Sequence, residues 1–153
     1  MKHLVLYLVC AVGTQSLCCA DVTKLSAADR KTLQDSSRFH EIHSTKELPP
    51  AIVALCGDKI AEPGQNWNAT DVVSDPNLPA KRLIWAAIGG SYYVVHYERG
   101  GIAHTYHVLV AKVPEGNAKP NIALQAMGGP FKDYGAFVQA LRTGKLDDRT
   151  NWR

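Results

Sequence analysis

Residues 82–113 read RLIWAAIGGSYYVVHYERGGIAHTYHVLVAKV, three runs rich in Val, Ile, Tyr and Trp divided by the pairs Gly89-Gly90 and Gly100-Gly101. β-branched and aromatic runs bounded by turn residues are the signature of adjacent antiparallel strands. Taken as two-residue turns, the glycine pairs set Ile88 opposite Ser91 and Arg99 opposite Ile102. That register puts Leu83, Trp85, Tyr92, His96, Glu98, His107 and Leu109 on one face. Ile84, Ala86, Tyr93, Val95, Tyr97, Tyr106 and Val108 fall on the other. Neither face is purely polar, so the sheet is covered on both sides or offers one side to a partner. The face holding Trp85, Tyr92, His96, Glu98 and His107 is the expected binding surface.

Residues outside the meander complete the fold. Asn121 to Met127 can return as a fourth strand. In "YGAFVQALRTG", Tyr134, Phe137, Val138 and Leu141 share one helical face; Asp133 suits the start and Gly144 the stop. Ser26 with Asp29 three residues on resembles a capping box for a polar surface helix. "HEIH", residues 40–43, is expected at that helix's end and is one residue short of the zincin spacing. Pro49 and Pro50 open a short helix that Gly57 closes. The stretch 61–81 is rich in Gly, Pro, Asn and Asp, hence mostly loop, with room for a short strand at 71–74. A loop this long in a compact domain is commonly functional, and its Trp67 argues that it is ordered. The expected fold class is α+β: a single domain with an antiparallel β-meander of about four strands (82–113 plus 121–127), packed by a C-terminal helix and short N-terminal helices.

The ends carry their own signals. Lys2 and His3, the apolar run 4–13 and the small residues before Asp21 compose a signal peptide spanning 1–20, cleaved after Ala20. The run is shorter than the ~20 apolar residues of a stable membrane span. The expected organisation is a signal peptide at 1–20, a globular domain at 21–145 and a polar tail at 146–153, in an exported protein, periplasmic or secreted. Loss of the leader removes Cys10, Cys18 and Cys19. Cys56 remains alone in the apolar run "AIVALCG", where a thiol is buried and inert and has no partner for an internal disulfide. Asn68-Ala69-Thr70 is a formal glycosylation sequon.

Composition is that of one ordinary domain. The chain has 153 residues, 46% hydrophobic and 20% charged, with a net charge of +3. No Lys/Arg cluster marks a nucleic-acid footprint. No glycine-rich phosphate loop, nucleophile elbow or paired-Cys motif is present, so the sequence implies no cofactor. In the glycine-turn register, His96 and His107 stand diagonally across two strands, ~7 Å apart, with Glu98 as a third donor. Two His without a firm third ligand make a weak zinc signal. His104 and His107, three apart, point to opposite faces.

Two readings follow. The first is a small exported non-enzymatic binding protein, inhibitor- or immunity-like in general appearance. It would use Trp85, Tyr92, His96, Glu98, His107 and Trp67 against a protein or small ligand in the periplasm or outside the cell. The second is a metal- or ligand-dependent enzyme built on His96, His107 and Glu98.

Overall fold

The computed structural model describes residues 25–57, 59–73, 75–116 and 119–146. The expected signal peptide, residues 1–20, and the tail from 147 onward lie outside them. Helix α1 (Ala27–Gln34) is followed by strand β1 (His40–Ile42), helix α2 (Pro50–Cys56), strands β2 (Lys81–Gly89), β3 (Tyr92–Arg99), β4 (Thr105–Lys112) and β5 (Asn121–Gly128), and helix α3 (Tyr134–Arg142). The strands form one sheet in the order β1-β2-β3-β4-β5, every neighbour antiparallel. The α+β meander read from the sequence is therefore correct, with one strand more than the four expected. Among the described residues, no helix is long and apolar enough to cross a membrane.

The extra strand is "HEI", expected as a helix end. The helix stops earlier, because only Leu33 of α1 is buried and the next five residues, 34–38, are all polar. Residues 40–42 instead pair with Ile88, Ala87 and Ala86, and burial of Ile42 seats them there. Of the strand expected at 71–74, residues 71–73 form none and residue 74 lies outside the described residues; Thr70 makes one isolated bridge to Gly101.

The register differs from that of two glycine-pair turns. Gly89 pairs with Tyr92, so the first turn is Gly90-Ser91, with Gly90 at φ 59° as a tight hairpin requires. Arg99 pairs with Thr105, leaving a five-residue connection, 100–104. The second glycine pair serves close approach rather than a tight turn. A Cβ on Gly100 would stand 2.0 Å from the Asn68 carbonyl oxygen and 2.7 Å from the Ala69 carbonyl carbon. The Gly100 N–H donates to the Ala80 carbonyl at 2.9 Å. This longer turn shifts β4 by an odd number of residues, which exchanges its two faces. Separately, the pairing slips between Leu83 and Trp85, so these two residues also point to opposite faces.

Both faces of the sheet are covered by the chain itself. On the first, Trp85, Val94, Val108 and Leu124 pack under Leu33 of α1, Phe137 and Leu141 of α3, and Leu146. Leu146, placed by sequence at the start of a polar tail, is thus a core residue. On the second, Leu83, Val95 and Leu109 pack under Ile42, Leu48, Ile52 and Cys56. The aromatic face expected to stand bare is roofed by α1 and α3.

Helix α1 has little apolar surface, and a polar clasp fixes it. Lys112 Nζ and the Tyr92 hydroxyl both donate to Asp29 Oδ1, at 2.8 and 2.6 Å. Burial alone would raise the Asp29 carboxyl; the hydrogen bonds from Lys112, Tyr92 and Ser26 outweigh it and hold it at about 2.

Candidate functional site

The 100–104 connection and the 61–80 loop meet at one end of the sheet. Asn68 fastens the loop from within: its N–H donates to the Pro79 carbonyl, and its Nδ2 donates to the Asp75 and Leu78 carbonyls at 2.8 and 3.1 Å. The sequon amide is buried and engaged in this way, so the folded chain offers no glycosylation acceptor there.

The fastening delivers Trp67 to the sheet. The Arg82 guanidinium lies over the Trp67 ring, 5.1 Å from its centroid. Arg82 Nε donates to Glu98 Oε1 at 2.6 Å, and Glu98 Oε2 meets His104 Nε2 at 2.7 Å. The His104 ring returns edge-on to Trp67 at 5.4 Å. Four side chains from four segments (the long loop, β2, β3 and the 100–104 connection) thus close a circuit. The Glu98 side chain is only 7% exposed. A carboxylate this deep needs both of its hydrogen-bonded partners to offset desolvation.

Behind the circuit runs an aromatic column. Tyr106 stands 5.1 Å from His104 and 6.2 Å from His96. His96 continues to Trp85 and Phe131, with ring centroids at 5.2 and 5.4 Å. Trp85 is fully buried and its Nε1 donates to the Phe131 carbonyl at 2.8 Å. His96 is also fully buried. Its Nδ1 lies 2.9 Å from the His107 carbonyl oxygen, an acceptor only, so Nδ1 carries the proton. Nε2 then presents a lone pair that no group among the described residues meets. Burial holds the imidazole neutral, against the smaller opposing pulls of the His107 carbonyl and Glu98.

The structure therefore gathers Trp67, Trp85, His96 and Glu98 of the residues singled out by sequence. It separates the other two. Tyr92 lies at the far end of the sheet, in the clasp with Asp29. His107 is on the opposite face because of the exchanged β4 register. There it stacks on Tyr97 at 5.2 Å, and its Nε2 lies 2.9 Å from Thr105 Oγ1. Burial, then the charges of Arg99 and Lys81, lower its pKa to about 4. His96, His107 and Glu98 do not converge as a ligand set. Among the described residues, no three His, Cys, Asp or Glu side chains are grouped to hold a metal ion. Cys56 is buried, as expected, and burial pushes its thiol up to about 11.

Sequence reasoning missed the outer rim of this end. Ile102, Val72 and Val73 are 95%, 71% and 59% exposed. The Thr70–Gly101 bridge sets their two loops side by side. The available signal was an aliphatic residue, Ile102, set directly after a glycine pair outside any strand. Arg82, His104 and Tyr106 were also missed, because nothing local tells that they meet Glu98 and Trp67. No protein-family model, curated protein or solved structure matches the chain.

Proposed function

We propose that this chain is a small, exported, non-enzymatic binding protein that engages a protein partner in the periplasm or outside the cell. It does so through the end of the domain where the 61–80 loop meets the 100–104 connection. Trp67, His104 and Tyr106 form the aromatic floor of the contact, and Val72, Val73 and Ile102 its apolar rim. An inhibitor- or immunity-like role suits such a surface. The sheet face named from sequence is not the contact; Trp85 and His96 support it from below.

The observation that carries this reading is the pair of adjoining loops with three strongly exposed aliphatic side chains beside a half-buried Trp. Scattered exposed apolar residues are ordinary, whereas adjoining ones next to an aromatic residue mark interaction surfaces. The loops are also braced from beneath by Asn68 and Gly100, so little ordering entropy opposes binding.

The test is capture from periplasmic extract and culture medium with wild-type protein and with Ile102→Asp and Trp67→Ala. A protein retained by the wild type and lost by both variants, with both variants still folding cooperatively, is the expected result. Identical eluates from all three would overturn the reading. Export is checked by fractionation, which should recover a chain beginning at Asp21 outside the cytoplasm.

A further inference from the structure

We infer that Lys81, Arg99 and Thr105 form a binding site for a small phosphate dianion on the second face of the sheet. Lys81 opens β2, Arg99 closes β3 and Thr105 opens β4, so the three stand at one end of the sheet. They also stand in one row: Lys81 is directly opposite Arg99, and Arg99 directly opposite Thr105. Leu83 and Tyr97, two residues along from Lys81 and Arg99, belong to the second core, which fixes the face that the row shares.

The adjacent pair on the same two strands gives the measure of this arrangement. Arg82 is opposite Glu98 on the first face, and the two are salt-bridged at 2.6 Å. One residue along, both partners are cations, and like charges directly opposite each other destabilise a sheet. Among the described residues, no carboxylate is ion-paired with Lys81 or Arg99. Lys81 Nζ donates to the Cys56 carbonyl and lies 5.7 Å from the Tyr97 ring centroid. These contacts fix the ammonium in place and leave its net charge unmatched. Lys81 is half-buried, whereas Arg99 is exposed and open to an arriving ion.

His107 shows that the two charges act on the same spot. It follows Thr105 on this face, with its Nε2 2.9 Å from Thr105 Oγ1. After burial, Arg99 and then Lys81 do most to lower its pKa. The imidazole therefore stays neutral and adds no third positive charge. Two cations and a hydroxyl suit a phosphate dianion; a carboxylate would balance only one of the charges. Arg offers a planar fork to two phosphate oxygens, and Lys acts as a point charge on a third. The inference is independent of the partner surface proposed above, whose Tyr106 lies between Thr105 and His107 and so faces the other side of the sheet.

An NMR titration with inorganic phosphate at about pH 8, where the ion is doubly charged, tests it, with chloride holding the ionic strength constant. In the wild type the Arg99, Thr105 and His107 signals should shift and saturate, with a Kd below about 1 mM. Arg99→Gln and Lys81→Gln should each weaken binding about tenfold or more, the worth of one charge-assisted hydrogen bond. In phosphate-free buffer Arg99→Gln should melt at or above wild type, because it removes one of two facing cations; lost binding is then not lost folding. Glycerol phosphate separates the sources of the ligand: binding tighter than that of the inorganic ion assigns an esterified phosphate, weaker binding the free one. No saturation up to about 10 mM phosphate, an equal response from wild type and Arg99→Gln, or acetate binding as tightly as phosphate would overturn the inference.

Discussion

His107 and His96 lie on opposite faces of the sheet, and both are kept neutral by burial. For His107 the consequence for stability has a definite sign. The unfolded imidazole takes up a proton near its ordinary value of about 6.5, and the folded one only near about 4. Between these values the unfolded chain binds more protons, so stability is complete above about 6.5 and falls as pH drops toward 4. One proton limits the loss to about 1.4 kcal/mol per pH unit. Urea melts from pH 7 to pH 4 should show a wild type that weakens faster than His107→Gln, the gap between them narrowing across this window. Parallel pH curves for the two proteins would show that His107 takes up its proton equally well in the folded chain. The clasp at Asp29 acts in the same direction but lower, from 3.8 to about 2, so it does not confuse the experiment.

Among the elements, legibility follows how local the determinants are. α3 was plain, since Tyr134, Phe137, Val138 and Leu141 recur at helical spacing and all are buried. Ser26 and Asp29 announced the start of α1, and each bonds the other. β1 was illegible because three residues carry no periodicity; burial of Ile42 beside β2 creates that strand. The β3–β4 turn misled because a glycine pair has two uses, and the distant backbone of Asn68 and Ala69 decides between them. That backbone makes the turn a test case. Gly100→Ala drives a Cβ into the backbone of Asn68 and Ala69, atoms that cannot swing aside as a side-chain end can. We expect a loss of about 1–3 kcal/mol, the usual cost of overpacking, together with loss of partner capture as the loop bearing Trp67 is displaced. Gly129→Ala, where nothing lies within 4 Å of the new Cβ, is the matched control and should melt as wild type does. Equal melting of the two would mean that the loop gives way easily and does not brace the site.

At the scale of the whole molecule, composition and pattern located the right group of residues but not their depth. Trp67, Trp85, His96 and Glu98 do gather on one side, yet a strand sequence says which side chains share a face and not what covers it. Here Tyr134 and Phe137 of α3 pack on Trp85, and Phe131 packs on His96, so an apparent contact surface is core. The two tryptophans therefore separate fold from function. Trp85→Ala removes a fully buried indole and its bond to Phe131, at a cost of about 3–5 kcal/mol. Against a total stability of about 5–15 kcal/mol, that is a large fraction, and the variant should melt far below wild type. Trp67→Ala removes a half-buried ring whose stacking with Arg82 is worth about 0.5–1 kcal/mol, so the fold should stand while binding is lost. Urea melts paired with capture assays on the two variants read both effects at once. A Trp85→Ala chain that melts like wild type yet captures nothing would return the contact surface to the sheet face and remove it from the loop end.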